Sequence, residues 1–376
     1  MKLPKTLQDK LEVRKANNAL RTLKKQSQLI DFATNDYLGF SRSKTIFEKT
    51  HQLLLDREIT NNGATGSRLL SGNHDLYIET EAYILKFHQS ENALIFNSGY
   101  DANVGFFSSV PQRNDVILYD ELSHASIRDG IQMSLAKAYK FKHNDLEDLE
   151  KLLQRFQNEF IEIYVVTESV FSMDGDSPNM KKLAQISENY KALLVVDEAH
   201  ALGVFGNPET SGGEGLVQGL QLHDKVFARI MTFGKGLGCH GAAILGSNDL
   251  KSYLVNFSRS LIYTTALSPH AIATILVAYQ ELAKSQKAIE IVKENSKYFN
   301  KVIGNSNFES SIKSIVISGN ENVKFASNFL IEKGFDVKPI LSPTVPEGQE
   351  RLRFCLHSYN SKEEIKTALE FLKEII

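Results

Sequence analysis

Between residues 93 and 247 the chain repeatedly passes through short runs that are apolar through their centres. They read "ALIF" (93–96), "DVILYD" (115–120), "IEIYVVTES" (161–169), "ALLVVDEAH" (192–200), "VFARIMTFG" (226–234) and "GAAILGS" (241–247). A strand with one wet face alternates apolar and polar side chains, so runs without alternation predict strands buried on both faces. Helical spacing lies between several of them. Leu146, Leu149, Leu153 and Phe156 fall on one helical face, and Met180–Tyr190 and His74–Gln89 also read as helices. Strands covered on both sides by intervening helices predict an α/β fold with a mostly parallel central sheet.

The 376 residues suffice for a large domain and a smaller one. Residues 1–34 read as a charged, helix-favouring arm, with Leu7, Leu11 and Leu20 as a narrow apolar stripe. Residues 35–270 hold the strand-rich α/β domain. Residues 271–376 read as a smaller α+β domain. A helical run over Pro269–Phe299 leads into "SIKSIVIS", "NFLIEKGFDVKPI" and "RLRFCLHS", and Ile365, Leu369, Leu372 and Ile376 space a final helix. A formal net charge of -2 gives no basic field for nucleic acid. Two cysteines make no disulfide framework, the first residues lack the apolar core of a signal peptide, and no run approaches membrane-span length. These features fit a cytoplasmic protein with no membrane partner.

The chemistry-bearing residues sit where strands end, which is where open α/β sheets collect ligands. Asp197 and His200 lie in "VVDEAHALGVFG" (195–206), and His124 follows "DVILYD". A metal centre would need more ligands of suitable type, and neither a Cys/His cluster nor H-E-x-x-H is present. A helicase would need a phosphate-binding G-x-x-x-x-G-K-[ST], which is absent. Ser98, Gly99 and Tyr100 stand between a strand and a helix start, a seat for an anion. Lys235 is crowded by Gly234, Gly236 and Gly238, so backbone there can approach something bulky. An amine, a carboxylate, imidazoles and an anion seat together are what pyridoxal phosphate needs. The amine holds its aldehyde, the carboxylate keeps its ring nitrogen protonated, a flat group covers the ring and donors hold the phosphate. Lys235, Asp197, His124 and the Ser98–Tyr100 turn supply that set. The glycine-rich "TNNGATGSRLLSG" (60–72) reads as a flexible, ligand-covering loop.

In order along the chain stand "NDYLGF", "GATGSRLLSGNHDLYIETE", "FNSGYDAN", "DELSHASIRDG", "ESVFSMDGD", "VVDEAHALGVFG", "TFGKGLG" and "PTVPEGQERLRF". Together they resemble the α-oxoamine synthases, pyridoxal-phosphate enzymes of the aspartate-aminotransferase fold type. The resemblance implies condensation of an amino acid with an acyl thioester and loss of carbon dioxide. Lys235 is then the cofactor's lysine, Asp197 the partner of its ring nitrogen, His124 the imidazole on its ring and His200 a partner of its ring hydroxyl. Ser172 lies by that hydroxyl, Glu168 is an acidic site residue, and Thr232 contacts the phosphate. Thr264 and Thr265 reach the phosphate from the neighbouring subunit of a homodimer. Arg353 holds the amino acid carboxylate, with Arg351 the nearby alternative; Asn35 lies near that carboxylate, and Gly63–Ser67 border the thioester. "LEVRKANNALR", with Arg21 at a matching arginine, and "SPTVPEGQERLR" point within the family to L-alanine and a pimeloyl thioester, carried on coenzyme A or acyl carrier protein. Glycine- and serine-using members are the alternatives. The chain departs from the family after Arg353, where "CLHSYNS" puts His357 out of the usual register.

Overall fold

A computed structural model describes residues 3–23, 25, 28–207, 209–210, 212–304 and 308–376. It divides into two compact units, one from Asn35–Ser172 and Asp176–Val292, the other from Met1–Thr34, Met173–Gly175 and Lys293–Ile376.

The larger unit is built on a seven-stranded sheet. Its strands are β1 (Asn92–Phe96), β2 (Val116–Asp120), β3 (Lys137–Phe141), β4 (Ile163–Glu168), β5 (Leu193–Asp197), β6 (Ala228–Thr232) and β7 (Ala242–Gly246). They lie side by side in the order β1-β7-β6-β5-β4-β2-β3. The pairs from β6 through to β3 are parallel, whereas β7 is antiparallel to both β6 and β1. Two reversals restore the direction, so β1 points the same way as β6. Every strand except β7 therefore ends at one edge of the sheet. The crossovers include the helices α1 (Gly99–Ser109), α2 (Ala125–Met133), α3 (Leu146–Phe156) and α4 (Met180–Asn189). Leu94, Phe96, Phe106, Phe107, Ile117, Val166, Val195, Ile230 and Ile244 form the core under one face of the sheet.

The short helix α3 shows how sequence sets an element. Asp145 accepts the Asp148 amide as N-cap, Glu147 and Asp148 lie in the first turn near the positive end of the helix dipole, and Arg155 lies in the last. Leu146, Leu149, Leu153 and Phe156 are all buried, as their spacing predicts.

The expected helical run Pro269–Phe299 is two helices, Pro269–Leu282 and Gln286–Ile303. Pro269 starts the first, where its missing N–H costs nothing, and Ser268 caps it. This first helix belongs to the larger unit, where it packs on the helices Lys44–Asp56 and Asp75–Phe87.

In the smaller unit a three-stranded antiparallel sheet runs β9-β10-β8, with β8 Ile312–Val316, β9 Lys338–Ile340 and β10 Arg351–Cys355. Phe32, Phe299, Val323, Leu330, Leu352, Phe354, Ile365 and Leu369 make its core. The helix near the N-terminus covers only Lys5–Ala16 and buries no side chain; Leu7 and Leu11 are exposed. The final helix, Lys362–Lys373, begins with a reciprocal capping box between Ser361 and Glu364.

Candidate active site

The shared edge of the large sheet gathers Asp120, Glu168, Asp197 and Thr232 at the ends of β2, β4, β5 and β6. Asp197 stands level with Glu168 on one neighbour and with Ile230 on the other. The four residues of "DEAH" divide by direction. Glu198 is fully buried and pairs with Arg229, whose Nε donates to Glu198 Oε2 at 2.7 Å. That pair belongs to the interior. Asp197 and His200 belong to the edge.

Lys235 follows β6 in the turn that leads to β7, and its Nζ lies 2.7 Å from His200 Nε2. The other imidazole nitrogen, Nδ1, is 2.6 Å from the hydroxyl of the fully buried Tyr37, which also reaches Asn35 Oδ1 at 3.3 Å. This line has two consistent proton arrangements. With Lys235 as ammonium, it donates to Nε2, Nδ1–H donates to Tyr37, and Tyr37 donates to Asn35. With Lys235 as free amine, Tyr37 donates to Nδ1 and Nε2–H donates to the amine. The line therefore accommodates either charge state of Lys235.

A second network organises the carboxylate. Asn103, on α1, donates through Nδ2 to Asp197 Oδ2 at 2.8 Å and to Ser126 Oγ at 3.0 Å. Asp197 Oδ1 accepts the Ala199 amide at 2.9 Å. Ser126 Oγ lies 2.7 Å from His124 Nδ1, which also accepts the Ser126 amide at 3.2 Å. Nδ1 is thus an acceptor, and a neutral His124 carries its proton on Nε2. Burial favours that neutral form and lowers the His124 pKa, with the Lys235 charge adding to it. Asn103, Ser126 and Tyr37 were not singled out by sequence. All three lie inside the quoted motifs "FNSGYDAN", "DELSHASIRDG" and "NDYLGF", but as neutral polar residues their types signal no chemistry.

Glu168 Oε1 accepts the backbone N–H of His124 at 2.7 Å. Burial, then the Asp197 charge beside it, pushes the Glu168 carboxyl up to about 8. A carboxyl raised in the fold binds its proton more tightly folded than unfolded, so the chain loses stability as pH rises from its ordinary value towards that point. Thermal unfolding of the cofactor-free protein between pH 5 and about 8 should show a falling Tm. The Glu168→Gln variant keeps an oxygen for the His124 amide and carries no charge, so its Tm should fall less steeply over the same range. Parallel slopes in the two proteins would remove this assignment.

The anion seat is the start of α1. Ser98 caps it, accepting the Asp101 amide and donating to Asp101 Oδ2 at 2.7 Å. Gly99 is the first helical residue, and a Cβ there would stand 2.2 Å from Thr232 Oγ1. Thr232 and the helix start are thus held against one another by the missing side chain. Tyr100 is half exposed and donates to Asp129 Oδ2 at 2.8 Å. Asn97 Nδ2 donates to Thr264 Oγ1 at 3.1 Å and to the Thr265 carbonyl at 2.7 Å, which ties the segment of both threonines to the residue after β1. Gly66, next to Ser67, accepts the Ala266 amide at 3.0 Å, so the glycine-rich loop adjoins the same segment. The donor set fits pyridoxal phosphate on this evidence: a helix start with Thr232 for an anion, an organised carboxylate, a neutral imidazole and a lysine amine on one edge.

Ser172 follows β4 in the larger unit and is partly buried. The arginines lie in the smaller unit. Arg353 is central in β10, level with Lys338 and Ser314, and Arg351 is buried and ion-paired to Asp174. That pairing gives Arg351 a partner within its own unit. Arg21 is exposed and donates to Thr344 Oγ1 at 3.3 Å.

Residues 27–372 match the aminotransferase class I and II family. The 8-amino-7-oxononanoate synthase of Emericella nidulans is 38% identical over 368 residues, covering 92% of this chain and 88% of the relative. The chain belongs to the aminotransferase class I and II family. Within it, the chain is a member of the α-oxoamine synthases and is similar to 8-amino-7-oxononanoate synthase. Two solved structures share the fold. Serine palmitoyltransferase from Sphingomonas wittichii superposes with a TM-score of 0.90 at 25% identity, over 100% of this chain and 98% of that one. The 8-amino-7-oxononanoate synthase from Francisella tularensis gives 0.78 at 29% identity, over 93% of this chain and 98% of that one. This α-oxoamine synthase has the fold of pyridoxal-phosphate enzymes of fold type I.

Proposed function

We propose that this chain joins L-alanine to a pimeloyl thioester, on coenzyme A or acyl carrier protein, releasing carbon dioxide and thiol to give 8-amino-7-oxononanoate, a step of biotin biosynthesis. It is a pyridoxal-phosphate enzyme, and the observation that carries the reading is the pairing of Lys235 with His200 beside Asp197 at one sheet edge. The 38% identity to a synthase of that name supports the choice of substrates. A cytoplasmic homodimer is part of the same reading, with Thr264 and Thr265 serving the neighbouring subunit's phosphate. Among the described residues no helix is long and apolar enough to cross a membrane.

Bound pyridoxal phosphate supplies a carbonyl that condenses with amines and a protonated ring that draws electrons from the amino acid's α-carbon. Asp197 holds the proton on the ring nitrogen, favouring it by opposite charge. His124 presents a neutral flat ring, and His200 a hydrogen-bond donor for the ring hydroxyl. The start of α1 and Thr232 bind the phosphate. Arg353 binds the amino acid carboxylate in a charge-assisted pair, aided by Asn35. Lys235 would remove the α-proton as general base, and the line through His200 and Tyr37 would accommodate either of its charge states. A C–C bond would form as the thioester C–S bond breaks, the thiolate taking up a proton, and the carboxylate would leave as carbon dioxide with a proton from Lys235 taking its place on the α-carbon. Ser67 and Arg21 border the acyl substrate.

The likeness to serine palmitoyltransferase favours a second reading, in which L-serine replaces L-alanine; glycine with a short acyl-CoA is a third. Thiol release from the loaded enzyme should be measured with each amino acid and with pimeloyl, acetyl and palmitoyl thioesters. Release with L-alanine and the pimeloyl thioester, at least tenfold faster than any other pair, is expected. A faster rate with serine and a long acyl chain, or with glycine and acetyl-CoA, replaces the first reading by the corresponding one.

A further inference from the structure

His143 lies just beyond β3, on the same edge of the sheet, with both ring nitrogens engaged by carboxylates. Nδ1 is 2.9 Å from Asp120 Oδ1, and Nε2 is 2.8 Å from Asp176 Oδ2. Two carboxylate partners accept from both nitrogens, which is the hydrogen-bond pattern of an imidazolium. Asn144 Nδ2 is 3.2 Å from Nε2, but both of them have Asp176 Oδ2 as the closer partner, Asn144 at 2.7 Å. The ring stands edge-on to Phe171, centroids 4.5 Å apart.

Each carboxylate is tied to a segment that bears a site residue. Asp120 is fully buried at the end of β2 and also accepts the amides of Leu122 and Asn144, fixing the turn that delivers His124 four residues on. The carbonyl of Asp176 accepts the amide of Phe171, the residue before Ser172. We infer that His143 is a positioning residue for the candidate site: clamped as a cation between Asp120 and Asp176, it locks the turn carrying His124 to the segment carrying Ser172. The inference rests on the reading of those two residues as the cofactor's neighbours. The cation also offsets negative charge at an edge where Asp120 and Asp197 end the strands on either side of β4.

Other charged groups lie on the segments beside it. Glu121 Oε1 accepts the His143 backbone N–H at 3.2 Å, with Lys140 3.9 Å from the other Glu121 oxygen, and Asp148 accepts the amide of Lys142. Burial lowers the His143 pKa, but the hydrogen bonds from the ring to Asp120 and Asp176 outweigh it and hold the ring up at about 9. A raised imidazole pKa gives a clamp fully formed below the ordinary histidine value and lost as pH rises through about 9.

The test compares pyridoxal phosphate binding to wild type, His143→Gln and Asp176→Asn by equilibrium dialysis from pH 7 to 10, with circular dichroism as the check on folding. Wild type should bind most tightly near pH 7 and weaken through about pH 9. His143→Gln should bind about tenfold more weakly at pH 7 and lack that limb. Asp176→Asn, which removes one of the two partners, should keep the limb but move it to lower pH. If His143→Gln fails to fold, the displaced limb of Asp176→Asn decides alone. Unchanged affinity and an unchanged limb in the folded variants would overturn the inference while leaving the proposed function intact. Failure of the wild type itself to bind the cofactor would overturn both.

Discussion

Replacing Lys235 with alanine should reduce turnover by on the order of 10³-fold or more, while the protein still folds and still takes up pyridoxal phosphate non-covalently. Lysine has two tasks here, holding the aldehyde and moving the α-proton, and positioned proton transfer alone is worth about 10²–10⁴-fold. The amine at His200 Nε2 is that of Lys235. The fold should be indifferent to the change. Lys235 is only partly buried, in a turn whose backbone is fixed by Phe233 N–H donating to the Gly241 carbonyl and by Gly238 N–H donating to the Lys235 carbonyl. Single-turnover rates for the variant, with its cofactor content read by absorbance, check both halves. A variant within tenfold of wild type would remove Lys235 from the chemistry.

Asp197→Asn should be the next most damaging change, lowering turnover by about 10²–10³-fold at saturating cofactor, in the range found when a preorganised electrostatic partner is removed. The amide has the carboxylate's shape but no charge, so the ring nitrogen loses the interaction that keeps it protonated. The change also propagates. An amide nitrogen at the Oδ2 position would face Asn103 Nδ2, donor against donor, at 2.8 Å in the present geometry. Turning the Asn103 amide relieves that contact but withdraws its donor from Ser126, which in turn orients His124. Both the carboxylate and the imidazole should therefore suffer. Measuring kcat together with the unfolding temperature separates this from lost stability, and a kcat within threefold of wild type would contradict the role given to Asp197.

The large sheet was legible because its strands are buried on both faces. "LLVVD" and "IYVVTE" have no polar face to confuse with a helix or a surface strand, and both strands lie within the runs read. β3 escaped for the complementary reason. "KAYKF" is an exposed edge strand, with Lys137, Ala138 and Lys140 open to solvent, so its pattern resembles a loop. The direction of β7 was hidden too, since apolar content carries no sign of strand orientation. Lys235, Asp197, His124 and His200 were legible as ionisable groups at strand ends, and their convergence is a consequence of the shared edge. The residues that organise them were not. Tyr37 lies 163 positions from His200 and Asn103 lies 94 from Asp197, and pairs at such separations leave no local spacing to read. His143 illustrates the same limit: its two carboxylates come from a strand end and a loop, 23 and 33 positions away.

Central to the proposed function is Lys235 as the lysine that carries the cofactor at this sheet edge. Reduction of the loaded protein with borohydride, followed by proteolysis and mass spectrometry, tests it directly. The account predicts one peptide bearing a reduced pyridoxyl adduct, containing "TFGKGLG", with the added mass on Lys235. An adduct on any other lysine, or reduction that leaves every lysine unmodified in a fully loaded protein, would contradict it.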